Sequence, residues 1–254
     1  MMFLVKIVTS QKLRGWLKME YVLISYIIGK ETVMPGVLPM PKLRAIARMC
    51  KCPEGFGKTD IRWESFNNVS FLEMSTHTGT HIDVPFHIDP QGLTVDAMKI
   101  SDFIFDTPLF IECPKGDYEK ITKEDLIPYE SQISKSDFLL IYTTFSKYRQ
   151  SDSERYKERQ PGLSVDAARY LAEKFSLKGI GIDVLGIENI SEAKRASPPF
   201  PAHRILLRNH KHFILLEDAN LSVLKGRKIH KLFIIPLMVE GAEAVPVTAF
   251  AEVE

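Results

Sequence analysis

Residues Ser75 to Asp89 read S-T-H-T-G-T-H-I-D-V-P-F-H-I-D, and this stretch decides how the rest of the chain is understood. It gathers His77, His81, Asp83 and His87 into the span 77–87 of a chain that holds only 7 histidines. His77 and His81 have the spacing that would put two imidazoles on one helix face, as in the zinc-protease pattern H-E-x-x-H. The intervening Thr78, Gly79 and Thr80 make a poor helix interior, and no glutamate follows His77 to act as base. Ile82, Val84 and Pro85 favour extended chain. Alternate side chains of a strand share a face, so the pattern predicts a strand or bulged loop aiming His77, His81 and Asp83 at one point. Gly79, without a side chain, would leave room between the imidazoles for an ion. Pro85 ends the strand and brings His87 in from another direction. The plain alternative is unconnected surface or core histidines, which three imidazoles and a carboxylate in so short a span disfavour.

Working outward, Val69 to Met74 reads as a short strand feeding this stretch, and Tyr21 to Ile28 as the first strand. Pro35, Gly36, Pro39 and Pro41 punctuate a loop between them. Pro108 to Glu112 and Phe138 to Thr143 are further strands, the second apolar throughout as if buried on both faces. Thr122 to Asp125 opens a short helix with a capping-box pattern. The charged, weakly patterned segment Ser146 to Gln160 reads as a loop or lid. Pro161-Gly-Leu-Ser164 then caps a helix whose apolar face is Val165, Ala168, Leu171, Ala172 and Phe175, with Asp166 at its positive end. Gly179 to Asp183 is the next buried strand, and Asp183 at its end reads as structural rather than as a ligand. Pro198, Pro199 and Pro201 mark a rigid loop ending in Ala202-His203-Arg204, after which a short helical run to Asn209 and the strand Phe213 to Leu216, ending at Glu217, follow. Lys231 to Pro236 and Val245 to Val253 close the chain as two strands. Strands outnumber helices and helices fall between strands, which predicts an α/β domain with a mixed sheet.

A length of 254 residues suits one domain over residues 21–254 with an N-terminal extension over 1–20, in which Met19 is an alternative start. A formal net charge of +1, with 26% charged and 45% hydrophobic residues, argues against nucleic acid or an anionic membrane as main partner. The apolar start from Met1 to Val8 precedes its basic residues, the reverse of a signal peptide, and no run approaches a membrane span. A cytoplasmic protein is expected. The 3 cysteines, Cys50, Cys52 and Cys113, read as free thiols. Cys50-x-Cys52 offers a metal grip but lacks a second pair to complete a site.

H-T-G-T-H-I-D-V-P-F-H resembles the H-x-G-T-H-x-D-x-P-x-H signature of the cyclase family, whose best-known members are kynurenine formamidases. The order P-G-L-S, helix, G-I-G-I-D is similar too. The resemblance implies a swivelling β/β/α-type domain that assembles as a homodimer or homotetramer. It implies that His77, His81, Asp83, His203 and Glu217 hold Zn²⁺ or Mn²⁺, as one ion or two, with Asp83 bridging. His210 and His212 lie nearer to Glu217 and rival His203, but N-H-K-H reads as a turn. His87 takes the place of the family's acid/base histidine. The implied activity is amide hydrolysis of a small-molecule N-formyl aryl amide or cyclic amide. A lactone or cyclic imide hydrolase is the alternative enzyme, and a non-catalytic metal-binding protein the alternative outside catalysis. The family's P-G loop helps wall the substrate pocket, yet Met34 stands where formamidases carry a tryptophan. Thr248 stands near a frequent arginine. Both departures weaken the case for kynurenine chemistry.

Overall fold

The computed structural model describes residues 19–36, 38–47 and 69–254, so residues 1–18 of the expected extension, and Cys50 and Cys52, lie outside the described residues. Thirteen strands are described. The first four are β1 (Glu20–Leu23), β2 (Lys42–Ala47), β3 (Val69–Glu73) and β4 (His81–Asp83). Next come β5 (Ile104–Phe105), β6 (Pro108–Glu112), β7 (Lys120–Ile121), β8 (Phe138–Tyr142) and β9 (Gly162–Leu163). The last are β10 (Gly179–Ile182), β11 (Ile214–Glu217), β12 (Ile229–Pro236) and β13 (Ala244–Val253).

The main sheet runs in the order β5-β12-β13-β4-β11-β10-β8-β6, with β1 paired to β13 as well. Strands β6, β8, β10 and β11 are parallel neighbours, whereas β4, β13, β12 and β5 continue the sheet antiparallel. The sheet is mixed, as expected. The parallel half alternates its side chains between two cores. Leu139, Ile141, Ile180, Ile182 and Leu215 face the helices Val165–Lys174 and Pro201–Asn209, which bury Ala168, Leu171, Ala202 and Leu206 against them. Phe138, Leu140, Ile214 and Leu216 face the other way and meet Phe103, Leu232, Ile234 and Ala249. The sheet therefore curls over its own second core. Phe105 on β5 packs on Phe138 of β8 with ring centroids 4.4 Å apart, although five strands separate them in the sheet order.

Three local expectations are corrected. The first strand is confined to Glu20–Leu23, after which Ser25 makes only an isolated bridge to Ala219. The helix expected only after Arg204 begins at Pro201 and carries His203, while the expected strand at Val69 is present as β3 and pairs with β2 in a separate hairpin. Ser146 to Gln160 is not a loop but carries the short helices Tyr148–Ser151 and Ser153–Glu158. Its charges hid the pattern because several are paired within the protein rather than left to solvent. Arg149 is buried against Asp218, Arg155 pairs with Asp117, and Asp152 caps the second helix by accepting from the Arg155 N–H.

Candidate metal centre

Strand β4 lies between β11 and β13, and its register with β11 sets Glu217 opposite His81, Leu216 opposite Ile82 and Leu215 opposite Asp83. Ile82 and Leu216 go to the sheet's second core, so His81, Asp83 and Glu217 emerge together on the helix side. All three are buried. The expected strand from His77 to Asp83 is shorter than its side-chain pattern suggested: only His81–Asp83 is extended, and His77 sits in a turn before it. Gly79 adopts φ +61, a left-handed conformation that L side chains rarely take. Its task is to bend the backbone, and a Cβ there would meet Ile28 at 3.5 Å rather than fill the space between imidazoles. The bend aims the Gly79 carbonyl at His81 Nδ1, 2.9 Å away. A carbonyl can only accept, so Nδ1 carries the proton and Nε2 presents its lone pair to the site.

The other imidazoles arrive from separate elements. His77 Nδ1 lies 3.1 Å from Asp83 Oδ1, and His77 Nε2 lies 3.4 Å from Glu243. His87 ends the 3-10 turn Pro85–His87, with Nε2 3.8 Å from Asp83 Oδ2. His203 stands in the first turn of the helix Pro201–Asn209, with Nε2 3.2 Å from Glu217 Oε1. That helix begins after Phe200, at φ +55, whose side chain cannot cap it. Glu188 does so from outside: its carboxylate accepts the backbone N–H groups of Ala202 and His203, and His203 Nδ1 at 2.7 Å. One carboxylate thus ends the helix and orients the imidazole. His212 is engaged with Asp102 at 2.9 Å and His210 is exposed, so neither rival joins the cluster. Asp183 also stays out of it, accepting from Thr143 and Ser146 in a structural anchor, where burial pushes its carboxyl up.

Electrostatics separate the histidines. Burial opposes a charge on His77, but Asp83 outweighs it and carries the imidazole up to about 9. Burial likewise opposes a charge on His203, and its bonds to Glu188 and Glu217 push it up to about 10. For His87, burial lowers the pKa, Asp83 pulls it back, and His77 and His203 push it down again, so the net shift is downward. Burial works against ionising Asp83, yet His87 and His77 hold it well below the usual carboxylate range. A concentration of acids and bases with opposed shifts marks a functional site more often than a structural one.

Two buried atoms have no well-formed hydrogen bond, His81 Nε2 and Asp83 Oδ1, although His77 Nδ1 stands 3.1 Å from the latter. Leaving a buried polar atom unmade costs about 1–3 kcal/mol, so the pair is expensive as bare protein. A cation fits the same atoms. His77, Asp83 and His87 bring ligand atoms within 4.8 Å of one another, and so do His81, Asp83 and Glu217, with Asp83 common to both groups. The donors are imidazole and carboxylate without thiolate, and the site opens into a pocket of about 220 Å³. Its walls are Pro35, Leu38, Leu185, Ile190 and Phe200, with Lys194 the one ammonium among its lining residues. The Pro35-Gly36 loop does wall the pocket, but Met34 is turned away and buried at 5% exposure. Phe200 supplies the aromatic side chain of the lining instead. Thr248 is exposed on β13, outside the pocket lining.

Glu188, Glu243, Lys194 and Phe200 were not singled out from the sequence. Glu188 offered a faint signal, a carboxylate directly after the apolar run Val184 to Ile187.

Fold and site together describe a mixed α/β protein with an open histidine–carboxylate centre. The chain belongs to the cyclase family: the family model described as "Putative cyclase" matches residues 22–189. Among curated relatives, the kynurenine formamidase of Bacillus cereus is 29% identical over 182 residues, covering 72% of this chain and 78% of its own. An isatin hydrolase solved with its product analogue thioisatinate superposes with a TM-score of 0.76 at 22% identity, covering 92% of each chain. A structure described as a "predicted metal-dependent hydrolase from Bacillus stearothermophilus" gives a TM-score of 0.68 at 26% identity, covering 92% of this chain and 98% of that one. No helix among the described residues is long and apolar enough to cross a membrane.

Proposed function

We propose that this protein is a metal-dependent amidohydrolase acting on a small N-formyl aryl amide or cyclic amide. The observation that carries the reading is the pair His81 Nε2 and Asp83 Oδ1, buried without a well-formed hydrogen bond in the lining of an open pocket. His77, His81, Asp83, His203 and Glu217 would hold Zn²⁺ or Mn²⁺, and Asp83, common to both donor groups, would bridge if two ions bind. His203, outside those groups, stands with Nε2 3.2 Å from Glu217 Oε1 and 3.8 Å from Asp83 Oδ2. A metal held there supplies Lewis-acid polarisation of a carbonyl and a lowered pKa for water. The relatives named for formamide and isatin hydrolysis support the C–N bond as target.

The chain's own residues do the rest. His87 is partly open to the pocket, and its downward shift leaves it neutral near pH 7, able to take a proton from water. The same imidazole then returns that proton to the departing nitrogen. Glu188 keeps His203 aimed at Glu217, and Pro35, Leu38 and Phe200 hold an apolar ring and displace water. His87 also lies within ligand reach beside His77 and Asp83, so its role is tested separately below.

Elemental analysis of the purified protein, joined to assays on formanilide, isatin and a lactone, tests the reading. Zinc or manganese near stoichiometry, amide turnover, its loss on chelation and its return on adding the ion are expected. A protein free of either metal, or indifferent to chelation while turning over amides, would refute it. A cytoplasmic setting suits Cys113, a buried free thiol. Assembly into a homodimer or homotetramer suits the β2–β3 hairpin, which exposes Leu43, Phe71 and Leu72. A monomer by sedimentation at micromolar concentration would rule that out.

A further inference from the structure

The pocket holds one feature that amide hydrolysis does not use. Lys194 is the only ammonium lining a wall otherwise made of Pro35, Leu38, Leu185, Ile190 and Phe200. It ends the short helix Ile190–Ala193 as its C-cap and forms no ion pair with any described residue. Its neighbour Glu192, the nearest carboxylate in sequence, is spent on Lys120. The ammonium rests over Gly36, where an added Cβ would come within 3.0 Å of Nζ. Gly36 has φ +54, so the loop opposite Lys194 both requires a glycine and leaves the ammonium its place. Lys194 is exposed at the rim, so water meets its charge before a ligand binds, and an anionic group entering beside it would exchange that water for an ion pair.

We infer that the substrate carries a carboxylate, or a comparable anion, on its apolar ring away from the scissile amide, and that Lys194 selects it. This rests on the amidohydrolase reading for the chemistry at the other end of the pocket. At about 220 Å³ the cavity lies below the usual range for drug-sized ligands, so one ring system with an amide and an acid fills it. The acid lies beside Lys194, and the ring lies between Leu38, Ile190 and Phe200. Formanilide, with no anion, satisfies the ring but leaves Lys194 unanswered.

The test compares the metal-loaded wild type with Lys194→Met and Lys194→Arg. One arm measures kcat/KM for formanilide and for 2-, 3- and 4-formamidobenzoate. The other measures binding of benzoate and benzamide by calorimetry, which needs no turnover. The wild type is expected to prefer at least one formamidobenzoate over formanilide, and benzoate over benzamide. Lys194→Met should cost the anionic members about tenfold more than the neutral members, between an exposed ion pair and a buried charged hydrogen bond. Lys194→Arg should keep most of the preference. An acid held only by the metal would be indifferent to Lys194→Met, and that result overturns the inference. Equal losses for neutral and anionic members, or no anion preference in the wild type, overturn it too. If no amide is hydrolysed but the benzoate difference persists, the amidohydrolase reading fails and the anion subsite stands.

Discussion

Replacing Arg149 by methionine should destabilise this protein more than any single change on its surface. Arg149 donates through Nε to Asp218 Oδ1 at 2.8 Å and through a terminal nitrogen to Oδ2 at 2.7 Å, with both side chains at or below 3% exposure. Its guanidinium lies 3.8 Å from the ring centroid of Tyr26. Burial works against the charge, but the Asp218 bonds raise the Arg149 pKa further. Asp218 itself sits at φ +50, a strained conformation for a residue with a side chain, and directly follows Glu217. Thr80, beside His81, donates to the Asp218 carbonyl at 2.6 Å. Methionine fills the volume but leaves the carboxylate with the Tyr156 hydroxyl as its remaining side-chain donor. Breaking one side of a buried pair costs about 3–5 kcal/mol. For a chain of this size, about 2–4 °C of melting temperature accompanies each kcal/mol, so the drop should be about 6–20 °C. Thermal unfolding of the chelated protein measures it without metal linkage. Because the clamp is bonded to the residues beside His81 and Glu217, metal affinity of the folded variant should weaken as well. Arg149→Met/Asp218→Asn should recover part of the loss, since no buried charge is then left alone. A single variant melting within 2 °C of wild type, as roughly a surface change would, would refute the reasoning.

Three further outcomes follow from the site. His87→Ala should keep the metal and lose about 10²–10⁴ in rate if the imidazole is the acid and base; lost metal with activity rescued by excess ion makes it a ligand instead. Glu188→Gln should weaken metal affinity about 10–100-fold, because His203 loses its charged partner; competition against a chelating dye reads this, and an unchanged affinity sinks the positioning role. The pH response should differ between metal-free and loaded protein. His77 and His203 are raised to about 9 and about 10, above their unfolded value, so the stability they lend is full below about pH 6.5 and fades as pH rises through 9 to 10. The chelated protein should melt progressively lower over that window, while the metal-induced gain in melting temperature grows because ligands must shed protons to bind. A flat profile for the chelated protein would count against both shifts.

What could be read from the sequence follows from how each side chain is delivered. His81 and Asp83 share one short strand, and His77 and His87 come from the turns at its two ends, so four donors sit in one written stretch. The helix after Ser164 was legible because its cap and apolar face are local, with Ser164 accepting from the Ala167 N–H. His203 and Glu217 entered only through the family resemblance: no local pattern shows that β11 will lie beside β4 with Glu217 opposite His81. Glu188 was out of reach for the same reason, since its value lies in the free N–H groups of a helix elsewhere in the chain.

The misreadings have a common physical origin. Alternation of His77, Gly79, His81 and Asp83 predicts one face only if the chain stays extended, and the sign of φ at Gly79, +61, is not written in residue spacing. The segment from Ser146 to Gln160 looked solvated because it is charged, yet Arg149 is among the more deeply buried polar residues and Tyr156 is fully buried. A charge reads as surface until its partner is known, and Asp218 lies on the far side of the fold's topology. Lys194 is a different case: it is an exposed lysine, and only the fold shows that it also lines the pocket, with Nζ over Gly36 of a distant loop. In the last two instances the decisive term is a long-range contact. It is therefore the paired residues, Arg149 with Asp218 and Lys194 with Gly36, whose substitution tests the structure where the sequence alone was mute.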